Sequence, residues 1–355
     1  MDLHGGNIYK LQREGKEEIL DYSSNINPLG VPEILKKAVN ENFSALERYP
    51  DINYVELRES IGDYNNIDFE NIIVGNGATE VLFLFVKALN PKKVLIVSPT
   101  FAEYERALKN TGAEIDYFEL KEEENFILNK EKFIVKAKKY DLAVICNPNN
   151  PTGKFISKEI INEINLELVK SETKLFIDEC FIEFISNWKE KSAADFCSEN
   201  IFILRALTKF FALPGLRLGY GICYDKKITE KINNIREPWS VNGFADLAGK
   251  IILKDEDYIA KTEKWIEEER EWFITSLKEI EKEKKIKVYE TETNFILIKL
   301  NSMTSSIFKE KMTEKNILIR DASNFKFLNN SYIRLAIKDR EKNQKVINAV
   351  KEVLR

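Results

Sequence analysis

TKFFALPGLR, residues 208–217, sets a lysine among apolar residues, runs into a Pro-Gly turn and places an arginine eight positions after the lysine. Burial disfavours a charged ammonium, so Lys209 in such surroundings is poised to be a neutral amine. A neutral amine attacks a carbonyl and holds it as a Schiff base. Arg217 brings a planar fork of donors suited to a phosphate, and the Thr208 hydroxyl adds one more. Taken alone, the lysine reads more simply as a snorkelling side chain, its stem on Phe210 and its head in water. The rest of the chain decides between the two.

At 355 residues the chain is long enough for about two domains with a shared core. Its net charge of −4 gives no basic footprint for nucleic acid. The four cysteines, Cys146, Cys180, Cys197 and Cys223, form no CxxC pair and read as buried thiols in a reducing cytosol, with no metal site. No apolar run reaches membrane-spanning length and no leader pattern opens the chain, so a cytoplasmic protein without a membrane partner is expected. His4 is the single histidine. It leaves almost nothing for a Ser-His-Asp triad or a multi-histidine metal centre.

Short β-branched runs at 72–74, 94–98, 114–118, 142–146, 175–178, 201–204 and 218–223 alternate with helix-like stretches such as 78–89, 101–111 and 157–169. This alternation predicts an α/β domain with a mostly parallel sheet and helices on both faces. Ligands of such sheets sit outside the carboxyl ends of the strands. Asn76, Phe101, Asn150, Asp178 and Lys209 all fall at those ends. Beyond about residue 250 the texture changes. A charge-rich helix is expected over 255–285, with Trp265 and Trp272 on its core-facing stripe. A smaller α+β unit follows, with strands at 287–289, 295–299, 317–320 and 332–336 and a helix from 341. The first forty residues are expected to pack with it, giving a large domain over 45–250 and a small one from 1–44 and 251–355.

Three further segments carry chemistry. Gly75-Asn76-Gly77-Ala78-Thr79-Glu80 links a strand to a helix, and the free N–H groups opening that helix make an anion site. Asn147-Pro148-Asn149-Asn150-Pro151-Thr152-Gly153 follows a buried strand as a proline-stiffened turn. Leu175-Phe176-Ile177-Asp178-Glu179 puts a carboxylate at the end of an apolar strand.

Together with the lysine loop, these segments resemble, in order and interval, the aminotransferase-fold (fold-type I) pyridoxal-phosphate enzymes over essentially the whole chain. The resemblance implies pyridoxal 5'-phosphate as cofactor, held covalently by Lys209. Its phosphate would lie among Gly77, Ala78, Thr79, Thr208 and Arg217. Asn150 would bond the ring oxygen, Asp178 would keep the ring nitrogen protonated and Phe101 would stack on the ring. It also implies a homodimer in which Tyr49 reaches the neighbouring subunit's cofactor phosphate.

Within the family two kinds of member compete, and both take a phosphorylated substrate. His4-Gly5-Gly6-Asn7, with Asn25 behind it, resembles the amino-terminal segments of the threonine-phosphate decarboxylases of cobalamin biosynthesis, where the matching histidine, glycine and asparagine touch substrate. Phe181 stands where the aminotransferases of the family usually carry a tyrosine. The segments 101–104 and 237–242 resemble the decarboxylases more closely as well. Arg320 and Arg334 match substrate-anion ligands, and Asn150 serves substrate as well as cofactor. A small phosphorylated amino acid is therefore the expected partner and decarboxylation the expected reaction, with histidinol-phosphate aminotransferase or a related transaminase as the alternative.

Overall fold

After a short first strand, β1 (Leu20–Asp21), the chain lays down a seven-stranded sheet. Its members are β2 (Ile72–Asn76), β3 (Lys93–Ser98), β4 (Glu114–Glu119), β5 (Leu142–Cys146), β6 (Lys174–Asp178), β7 (Ile201–Ala206) and β8 (Leu218–Cys223). The computed structural model describes residues 4–355. Residues 1–3 of the expected amino-terminal segment lie outside that range.

The sheet order is β2-β8-β7-β6-β5-β3-β4. β4, β3, β5, β6 and β7 are mutually parallel, while β8 runs antiparallel to both its neighbours, β7 and β2. β5 and β7 are buried along their whole length. Helices on both faces account for that, which is why these strands read as apolar runs and not as alternation. Successive connections leave β3 and β5 in opposite directions, which opens a crevice outside their carboxyl ends. Because β8 is reversed, its first residue lies at the same edge as the last residues of its neighbours: Asn76 pairs with Leu218 and Ala206 with Gly219.

The carboxyl-terminal unit contains β9 (Ile286–Val288), β10 (Phe295–Leu300), β11 (Ile317–Leu318), β12 (Arg320–Asp321) and β13 (Tyr332–Ala336). Four of these form a sheet in the order β12-β13-β10-β9. The expected single strand over 317–320 is in fact two. β11 pairs in parallel with β1, whereas β12 pairs antiparallel with β13. The buried Ile319 marks the crossing from one sheet to the other. The helix Glu256–Glu281 buries Trp265, whose indole donates to the Lys338 carbonyl at 2.9 Å, and half-buries Trp272 beneath the Arg340 guanidinium. The cysteines need one correction: Cys146, Cys180 and Cys223 are buried, but Cys197 is exposed.

A buried polar cluster lies beneath the sheet. Arg205 pairs with Glu179 at 2.8 Å and rests on the Trp188 ring. Nearby Glu183 accepts a hydrogen bond from the Tyr64 hydroxyl at 3.3 Å. Burial pushes Glu183 up from 4.5 to about 7, against the pull of Arg205. The folded protein thus binds a proton at Glu183 that the unfolded chain has lost. Its contribution is fully present below pH 4.5 and disappears as the pH rises through 7, an effect of about 3 kcal/mol. The stability difference between Glu183→Gln and the parent should therefore shift in favour of the variant across that window. Denaturation at a series of pH values measures it, and a constant difference from pH 4.5 to 7 would remove Glu183 as the cause.

Candidate functional site

The sheet edge described above opens into a cavity of about 410 Å³. Its walls come from the loops after β3, β5, β6 and β7, the start of the helix Ala78–Leu89, the amino-terminal segment, and β12 and β13. Lys209, Asp178, Asn150, Phe101, Thr208, Arg217, Ala78, Thr79, His4, Gly5, Asn25, Arg320 and Arg334 all line it. Gly77 stands just behind that wall. Its φ of 82° belongs to the left-handed region, and a Cβ there would come within 2.4 Å of Arg217 Nη2. Asn76, by contrast, uses its backbone N–H on the Glu80 carboxylate and does not face the cavity. Tyr49 is 79% exposed with its ring against Trp239, outside the cavity of its own chain.

Lys209 follows β7 in a single helical turn, Leu207–Phe210. Burial lowers its affinity for a proton, and the nearby Arg334 and Arg217 act in the same direction, while Cys180 and Asp178 oppose them. A lysine so placed has its neutral, nucleophilic form favoured. The loop is held from an unexpected side. Asn27 donates its amide to the Phe210 carbonyl at 2.7 Å and its backbone N–H to the Lys209 carbonyl at 3.2 Å.

Asp178 ends β6 fully inside the protein. It accepts from the Tyr104 hydroxyl at 2.6 Å and the Cys180 N–H at 2.9 Å. Burial raises its pKa, and these hydrogen bonds together with Lys209 oppose the rise. Such a carboxyl is well placed to take up a cationic partner.

On the opposite wall Arg320 and Arg334 are direct register partners in the β12–β13 pair and both are buried. Directly opposed residues of an antiparallel pair share one face. Arg334 donates to Asn150 Oδ1 at 2.5 Å and to the Ser23 carbonyl at 2.7 Å, and its buried Nε has no partner. Buried Asn25 Oδ1 also lacks one. Two guanidinium groups on one buried face, with polar atoms left unpaired beside them, form a receptor for an anion.

A family model described as aminotransferase class I and II matches residues 17–350. The chain belongs to this family. It is 45% identical over 353 residues to a protein of Caldanaerobacter subterraneus subsp. tengcongensis that carries a provisional assignment as threonine-phosphate decarboxylase, covering 98% of this chain and 93% of that one. Against the threonine-phosphate decarboxylase of Salmonella typhimurium the identity is 34%, over 99% of this chain and 96% of the other. The crystal structure of the histidinol-phosphate aminotransferase from Clostridium acetobutylicum superposes with a TM-score of 0.89 at 38% identity, covering 95% of this chain and 99% of that one.

Class I and II aminotransferases use pyridoxal phosphate, and the residues present suit that group. The helix start at Ala78 and Thr79, with Thr208 and Arg217 beside it, suits the phosphate. Arg334 holds the Asn150 amide by its oxygen, so the Asn150 NH2 would be left to donate to a ring oxygen. Buried Asp178 would be suited to balance a protonated ring nitrogen. Phe181 lines the cavity with its ring edge-on to Phe295 and has no hydroxyl to offer there. Sequence reasoning missed Tyr104 as the partner of Asp178, Asn27 as the brace of the lysine loop, and Glu103, a buried carboxylate in the wall. No periodicity or short motif signals such contacts between distant segments.

Proposed function

We propose that the protein decarboxylates L-threonine O-3-phosphate to 1-amino-2-propanol O-2-phosphate, a precursor of the cobalamin nucleotide loop. The observation that carries this reading is the meeting of His4 and Gly5 with Lys209, Arg320 and Arg334 around one cavity. Gly5 permits that approach, since a Cβ there would lie 2.0 Å from the Ser23 carbonyl oxygen. The sequence similarity to threonine-phosphate decarboxylases supports the same substrate.

When bound, pyridoxal phosphate supplies an electron sink for the bond broken at the substrate α-carbon. Lys209 would hold it, with Thr208, Arg217, Ala78 and Thr79 at its phosphate, Asn150 and Asp178 at its ring and Phe101 against its face. The remaining work belongs to the protein. Arg320, Arg334, His4 and Asn25 bind the two anionic ends of the substrate, and so decide which α-substituent leaves. Binding energy remote from the reacting carbon is thereby used to select the bond. The Lys209 amine would donate a proton to the α-carbon in place of the departed carbon dioxide, the α-hydrogen staying where it was. The buried walls keep bulk water from supplying a proton at random.

A homodimer completes the reading, with Tyr49 reaching the neighbouring site. Phe43, Leu46, Tyr49, Ile52 and Trp239 are all exposed and offer the apolar surface that such an interface buries. No helix among the described residues is long and apolar enough to cross a membrane. The four free thiols suit a reducing cytoplasm.

The similarity to the Clostridium acetobutylicum enzyme favours a second reading, amino transfer from histidinol phosphate. One assay separates the two. Protein with cofactor and threonine phosphate, but no keto acid, should release carbon dioxide over many turnovers. No release, alongside amino transfer from histidinol phosphate to 2-oxoglutarate, would replace the first reading by the second.

A further inference from the structure

Glu103 has no place in the chemistry described so far, yet it is a carboxylate only 4% exposed in the wall of a cavity whose other charged groups are mostly cations. It opens the helix Glu103–Lys109, two residues after Phe101. Its Oε1 lies 2.9 Å from His4 Nε2, and Arg106 Nη1 approaches both its oxygens at 3.4–3.5 Å. A carboxylate at that depth repels a substrate anion unless its own charge is spent on something else. Here Arg106 and His4 share it.

The segment that carries His4 is tied at its other end. Gly6 donates its N–H to Ser23 Oγ at 2.7 Å, Gly5 presses on the Ser23 carbonyl, and that carbonyl accepts from Arg334. The His4–Glu103 contact therefore extends a chain of contacts along the cavity wall: Glu103, His4, Ser23, Arg334 and Asn150. A carboxylate accepts, so the imidazole meets it through Nε2–H, and in its imidazolium form it has Nδ1–H left to donate to an anionic ligand. The His4 ring lies 5.6 Å from the Phe101 ring, centroid to centroid, which limits how far it can turn.

We propose that Glu103 is a positioning residue that latches His4, and with it the amino-terminal segment, across the cavity mouth, so that the imidazole is set in advance to receive the substrate phosphate. This rests on the reading of the cavity as a site for a phosphorylated amino acid. Without the latch the His4 ring keeps only its packing against Phe101 and the tie of Gly5 and Gly6 to Ser23, and each binding event has to set it again.

His4 is the single histidine in the sequence, so its ring reports on the latch without interference. Tag-free protein grown with histidine labelled with 13C at Cε1 should show one resonance, displaced from the free-peptide position by its packing against Phe101. In Glu103→Gln that line should narrow and move to the free-peptide position. The kinetic companion compares Glu103→Gln, His4→Ala and the double variant with threonine phosphate as substrate. Each single change should raise KM about tenfold with a much smaller loss of kcat, and the double variant should be no worse than either. An unmoved resonance in Glu103→Gln, or increases in KM that multiply in the double variant, would overturn the latch. If the parent protein turns over histidinol phosphate instead, the kinetic comparison is made with that substrate. The resonance then decides the latch independently of the reaction.

Discussion

Lys209→Ala is expected to lower kcat by roughly 10⁴-fold or more, since the nucleophile and the proton carrier disappear together. Among the described residues no other lysine lines the cavity, and Asp178 is engaged with Tyr104 and Cys180. The variant should still fold, because the main-chain atoms that Asn27 grips are unchanged. Borohydride treatment followed by mass spectrometry gives a second measure. The parent should gain the mass of one reduced cofactor on the peptide containing Lys209, and the variant should gain none. A variant that kept either its turnover or the added mass would show that another amine does the work.

Asp178→Asn should cost roughly 10³-fold in kcat while leaving the protein folded. The amide is the same shape as the carboxyl and can still accept the Cys180 N–H, but it carries no charge to balance a protonated ring nitrogen. Burial of the carboxyl is unfavourable in the absence of a cation. The cofactor-free variant should therefore melt at the same temperature as the parent or higher. Activity and stability move in opposite directions. A fall in kcat of less than tenfold, or a destabilised cofactor-free variant, would demote Asp178 to a structural residue.

The strands were legible because a strand covered by helices on both faces has to be apolar along its length, and the runs at 142–146 and 218–223 show that directly. Their order was not. Nothing within residues 218–223 says that β8 turns back between β2 and β7, since that depends on partners far away in the chain. The split of 317–320 was hidden for a related reason: Ile317, Leu318 and Ile319 are all buried, so the apolar pattern continues across a change of sheet. At the site, the motif residues Lys209, Asp178 and Asn150 were legible as strand-end residues, and they do meet at one cavity. Supporting contacts were not. Tyr104 meets Asp178 across 74 residues, and Asn27 meets Phe210 across 183. His4 was expected to face a phosphate, and its Nε2 turns out to rest on Glu103.

The reversed strand has a consequence for how the molecule is made. β8 is the last strand of the large sheet in chain order, yet it fills an internal slot. Asn76, at the end of β2, waits for Leu218, about 140 residues downstream. During synthesis β2 is therefore an apolar strand with no partner in the sheet, the kind of edge that invites association between nascent chains. Gly77 likewise has no Arg217 beside it until that moment. An anion bound at the helix start by Ala78, Thr79 and Arg217 would recognise only chains whose sheet has closed, and by mass action would draw the population toward closure. Supply of pyridoxal phosphate during growth would then affect the yield of intact protein as well as its turnover.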